Sequence, residues 1–164
     1  MANIPYDLRF VTAFTPQLAN SGAACDAISM KNVNMLWIVI DLNGAGGDTD
    51  STFVVNECTD VAGTGLQAIV ETLPSWTNTD TASSDVLTKA ASDAATWTLD
   101  TLAAKSQRLV IKVNPSVVGA ASGLTNADCV RLVITGGNVA NYLSATYVCE
   151  MRYQETSPPS TITD

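Results

Sequence analysis

Apolar and polar side chains alternate with a period of two along most of this chain, and in a strand that period sends successive side chains to opposite faces. The alternation is cleanest over 145–153, where Ala145, Tyr147, Cys149, Met151 and Tyr153 fall on one face with Thr146, Glu150 and Arg152 opposite. This predicts a strand with one wet side. The same pattern predicts strands over 8–15, 96–100, 106–114 and 128–135, with another over 52–59 and a weaker one over 23–29. Within 96–100 the apolar pair is Trp97 and Leu99; within 106–114 Leu109, Ile111 and Val113 alternate with Arg108 and Lys112, and Val110 breaks the rule.

Segment 33–42 is different, because Val33, Met35, Trp37 and Val39 form one face and Leu36, Ile38, Ile40 and Leu42 the other. Both faces are apolar, as in a strand covered on both sides. One face of each sheet in a sandwich normally meets solvent, so the second face of this strand is expected under a long loop or against another subunit.

Turn formers separate these segments: Asn20-Ser21-Gly22, Asn43-Gly44-Ala45-Gly46-Gly47-Asp48, Ala62-Gly63-Thr64-Gly65, Asn114-Pro115 and Gly136-Gly137-Asn138. Short strands in series with such punctuation point to a sandwich or a barrel, and the reading adopted is an all-β fold, an antiparallel β-sandwich formed by one domain over 1–153. Segments 81–95 and 114–126 are rich in small and polar residues and read as long surface loops, the first with room for one helical turn. The tail, 154–164, contains Pro158-Pro159, which bars helix and central strand and predicts an extended C-terminal arm. Pro158, Pro159 and Ile162 are its candidate contacts with a neighbouring molecule.

Histidine is absent from the 164 residues, which removes most hydrolase triads and most zinc sites. Charged residues are only 15% of the chain, against about 25% in ordinary soluble domains, so uncharged polar side chains carry the surface. The net charge is −8 with no basic run, which argues against nucleic acid as a partner. The longest strongly apolar run, 35–40, is too short to span a bilayer, and the first residues lack the basic and apolar regions of a secretion signal, so cytoplasmic synthesis is expected. Cys25, Cys58, Cys129 and Cys149 lie inside predicted strands without CxxC spacing, and reduced core thiols are the expectation.

Candidate chemistry is sparse. Gly63-Thr64-Gly65-Leu66-Gln67-Ala68 fits the spacing of a dinucleotide loop, but Pro74 would cut short any helix opening there and no βαβ pattern surrounds it. Asp48 and Asp50 on a glycine loop, and Asp80 with Asp85, are raw material for calcium without the spacing of a calcium loop. Glu57, Asp60, Glu71 and Glu150 are the acids that a glycosidase would need, yet no motif surrounds them. No enzyme, cofactor or metal is therefore expected. Trp37 and Trp97 sit amid apolar alternation and read as core, whereas Trp76 in Leu73-Pro74-Ser75-Trp76-Thr77-Asn78 reads as a loop residue available to a partner.

Residues 30–40, then Asn56-Glu57-Cys58-Thr59-Asp60-Val61-Ala62-Gly63-Thr64-Gly65, and the closing 145–153 leading into Ser157-Pro158-Pro159-Ser160, resemble the head decoration, or cement, proteins of tailed bacteriophages. The resemblance implies a jelly roll in preference to an immunoglobulin-like topology. It implies a structural virion protein without an active site, bound to the major capsid protein on the outside of the head, stabilising contacts between capsomers, and assembled as a dimer or trimer. The alternative from another class is a carbohydrate-binding jelly roll of a tail fibre or receptor-binding component, which would use Trp76 or Tyr142 beside amides and carboxylates, with calcium near Asp48.

Overall fold

The computed structural model describes residues 7–18, 24–44, 46, 50–100, 104–120, 123–137, 140–153 and 160–162. These residues contain the strands β1 (Leu8–Leu18), β2 (Ala24–Ser29), β3 (Val33–Asn43), β4 (Ser51–Cys58), β5 (Gln67–Ala68), β6 (Ser75–Asn78), β7 (Thr88–Lys89), β8 (Thr96–Leu99), β9 (Ser106–Val113), β10 (Cys129–Gly136) and β11 (Tyr142–Met151). They form two antiparallel sheets packed as a sandwich, one ordered β1-β11-β3-β9-β6-β7 and the other β2-β10-β4-β5, with β8 also beside β4. All eight expected strands are present, each within a few residues of its predicted bounds.

The pairings β1·β11, β2·β10, β3·β9 and β4·β8 nest inside one another like the two arms of a single long hairpin. Successive strands of that ribbon alternate between sheets, and β11·β3 with β10·β4 close each sheet across it. That wrapping is the jelly roll. The tip of the ribbon, between β4 and β8, holds β5, β6 and β7, of which β6 and β7 extend the larger sheet beyond β9.

Alternation decides which side chains fill the space between the sheets. Leu36, Ile38, Ile40 and Leu42 of β3 face Phe53 and Val55 of β4 and Val130, Leu132 and Ile134 of β10 in one buried cluster. Full burial of each such side chain stabilises by about 1.5–3 kcal/mol. Tyr147 of β11 crosses the sandwich: its hydroxyl donates to the Asp26 carbonyl at 2.9 Å and accepts from the Leu132 amide at 2.8 Å. The β2·β10 register shifts beside Leu132, and the tyrosine takes up its amide there. Tyr153, expected on the same buried face, is exposed because β11 ends at Met151 and the Arg152 amide turns away to bond the Asn32 carbonyl.

Segment 81–95 holds a turn on Asp80, whose carbonyl accepts from the Ser83 and Ser84 amides, and then the two residues of β7. Segment 114–126 begins with a 3₁₀ turn, Pro115–Val117, capped by the Asn114 side chain on the Ser116 amide at 3.0 Å.

Candidate functional site

The outward face of the six-stranded sheet is where this molecule departs from an ordinary sandwich. Register fixes its rows. Phe10, Val148, Trp37 and Lys112 lie side by side across β1, β11, β3 and β9. The next row runs Thr12, Thr146, Val39, Val110, Trp76 and Lys89, and a third holds Ser144, Asp41, Arg108 and Asn78. An apolar stripe crosses a face that elsewhere reads polar. Phe10 is 60% exposed, Trp37, Val39, Trp76 and Val148 are half-buried, and Val110 is shielded between its neighbours.

Trp37 is therefore not a core residue. A shift in the β3·β11 register at its N-terminal end puts Val33 and Leu36 both inward, leaving Met35, Trp37 and Val39 pointing out. Val110, the exception to alternation in β9, is apolar for the same reason. The Trp37 and Trp76 rings meet with centroids 5.7 Å apart and planes tilted by 52°, and the Lys112 ammonium stands 5.4 Å from the Trp37 centroid. Trp76 belongs to β6, not to a loop, because Pro74 accepts from the Lys112 amide and starts the pairing with β9. A lysine thus stands over one ring while the second ring tilts against the first.

Charge is also unevenly placed. Three of the eight cations, Lys89, Arg108 and Lys112, lie on this face with two acids, Asp41 and Glu150, so it carries +1 while the remaining residues carry −9 of the net −8. Arg108 grips both Asp41 oxygens across the strands at 2.7 and 3.2 Å, which pushes its pKa further up, and Glu150 accepts from the Asn34 amide group at 2.9 Å.

Pro158 and Pro159 lie outside the described residues, as does Asp48. Ile162 is 52% exposed, while its neighbour Thr161 is buried and its carbonyl accepts from the Ser29 amide at 2.8 Å. Residues 160–162 thus touch the free edge of β2 in their own sandwich. Ile162 and Trp76 are on different parts of the molecule: one beside β2 of the smaller sheet, the other on the larger. Tyr142 is exposed and begins β11. Trp97 is buried as expected.

The acidic candidates are each engaged structurally. Asp60 accepts from the Thr64 amide at 3.0 Å and closes the Gly63-Thr64-Gly65 turn, with Gly63 at φ +82 and Gly65 at φ +69; bonds from Thr64 hold its carboxyl below the usual range. The dinucleotide-like spacing is thus a glycine turn after β4, with no helix behind it. Asp80 is paired with Lys105 at 3.0 Å, and that bond lowers its pKa. Glu57 points inward at the end of the sandwich, 1% exposed, where one oxygen accepts from the Gly119 amide at 2.6 Å. No cluster of three or more Cys, Asp or Glu suited to a metal ion occurs among the described residues.

Sequence reasoning missed the stripe as a unit. Its signal was present in the doubly apolar pattern of β3 and in Val110, but only the register across five strands joins Phe10 to Trp76. No family model, no curated protein and no solved structure matches this chain.

Proposed function

We propose that this protein is a structural adhesion module, a head decoration protein of the tailed-phage kind, which docks on the major capsid protein through the outward face of its six-stranded sheet. The observation that carries this reading is the aromatic stripe from Phe10 to Trp76. Solvent-facing sheet surfaces are normally polar, and a contiguous apolar stripe with two tryptophans at its centre has the composition of a binding hot spot. The local charge supports it. A molecule of −8 approaches an acidic partner with less repulsion through a face that carries +1, and Lys89 and Lys112 flank the tryptophans there. The jelly roll supplies a stiff plate behind the stripe, suited to bridging two capsomers. Dimeric or trimeric assembly, with many modest contacts acting together, raises avidity over a single contact by orders of magnitude.

Purified particles of the virus that encodes the chain provide the test. The expected result is many copies per head, released and rebound by purified protein. Replacing both Trp37 and Trp76 by alanine is expected to weaken rebinding by on the order of 100-fold or more, because hot-spot truncations cost about 2 kcal/mol or more each. Absence from particles would overturn this reading, and a handful of copies with calcium-dependent binding on a glycan array would instead favour the carbohydrate-binding alternative.

A further inference from the structure

Cys58 ends β4 and Cys129 begins β10, and the register places them directly opposite each other. Val55 and Glu57 of β4, and Val130 and Leu132 of β10, fix the inward parity, so both thiols project from the outer side of the five-stranded sheet. There they form a small buried cluster with Ala27, covered by Val61. Both are fully buried and reduced. Directly opposed residues of an antiparallel pair have Cα atoms about 4.5–5.5 Å apart, inside the roughly 4.4–6.8 Å window that a disulfide needs.

We infer that Cys58 and Cys129 are a latent disulfide site, open to thiol–disulfide exchange with a small disulfide oxidant such as oxidised glutathione. The chemistry at the two sulfurs supports this. The Cys129 thiol donates to an Asp128 carboxylate oxygen at 3.2 Å, and the neighbouring Cys129 side chain is the main cause holding the Cys58 pKa below its ordinary value. Cys58 is assigned as the attacking sulfur, reacting as its thiolate. It displaces one glutathione thiolate to give a mixed disulfide; Cys129, deprotonated in turn, attacks the Cys58 sulfur and expels the second. Two protein thiols lose two protons and two electrons, and one glutathione disulfide becomes two glutathione thiols. Access requires local opening of the turn carrying half-buried Val61, which is held by Asp60 and Thr64. Cys25 and Cys149 make the contrast: burial in the main core pushes both up to about 12, and they remain protonated.

The full chain, incubated natively with oxidised glutathione near neutral pH, acid-quenched and peptide-mapped by mass spectrometry, reads the bond directly. The expected product is a peptide linking Cys58 to Cys129, a mass loss of about 2 Da reversed by dithiothreitol, and unmodified Cys25 and Cys149. Cys129→Ser is expected to stop the reaction at a glutathione adduct on Cys58. A parallel reaction in urea establishes that the oxidant is competent. With that control positive, a native product lacking the Cys58–Cys129 link, or one pairing either residue with Cys25 or Cys149, overturns the inference.

Discussion

Tyr147 shows how much one hydroxyl can hold. Burial drives its pKa far above the ordinary phenol value, and its two backbone partners belong to β10 and β2, so it ties the larger sheet to the smaller. Tyr147→Phe keeps the ring but leaves the Leu132 amide and the Asp26 carbonyl short of a partner. The expected cost is about 1–3 kcal/mol, read as a lower urea midpoint with an unchanged far-UV spectrum. The buried thiols give a pH dependence of definite sign. Cys25 and Cys149 are raised from 9.0 to about 12, chiefly by desolvation, so the folded state retains protons that the unfolded state releases. Their stabilisation is complete below pH 9 and is lost as pH rises towards 12. Urea midpoints measured from pH 8 to 11 are expected to fall steadily; a flat profile would contradict the burial. That Cys149 faces the core was legible from alternation, since it shares a face with Ala145 and Tyr147, whereas Cys25 is turned inward across the shifted β2·β10 register. The bridging role of Tyr147 was not legible, because its partners are 15 and 121 residues away.

At the scale of elements, turns and edges carry the design. Gly136 ends β10 at φ +73, and a Cβ there would lie 2.8 Å from the Asp50 carbonyl oxygen. Gly123 has nearly the same backbone, φ +75, with nothing within 4 Å. Gly136→Ala is therefore expected to cost on the order of 2–4 kcal/mol, left-handed strain plus a backbone clash, and Gly123→Ala about 1–2 kcal/mol from strain alone. Thermal melts of the pair separate the two contributions. The Arg108–Asp41 bridge between β9 and β3 is close but nearly half exposed on both sides, so its loss is expected to change stability by less than about 1 kcal/mol. Edges are blunted in recognisable ways: β5 and β7 are two residues long, and β1 carries two register shifts along its pairing with β11. Gly136-Gly137 was readable as a turn, but β6 was not readable as a strand, since its four residues pair only because β9 offers an open edge.

Across the whole molecule, every pairing of the nested ribbon except β4·β8 joins residues more than sixty positions apart. Such a topology must close long loops before its contacts form, and refolding followed by tryptophan fluorescence is expected on the millisecond-to-second scale or slower. Microsecond refolding would be inconsistent with this topology. The three tryptophans report separate places: Trp97 the core, Trp37 and Trp76 the outward face. Binding through that face is accordingly expected to change the emission of the half-buried pair while Trp97 stays silent.

Local chemistry determined the strands, their inward faces and the turns, because a period of two and a glycine or proline act within a few residues of themselves. The all-β class follows from the same local signals. Tertiary structure alone decided which apolar face of β3 remains outside, that Trp37 meets Trp76, and that Cys58 stands opposite Cys129. Those outcomes depend on register between strands far apart in the chain, and a shift of one residue would send each of these side chains to the other face.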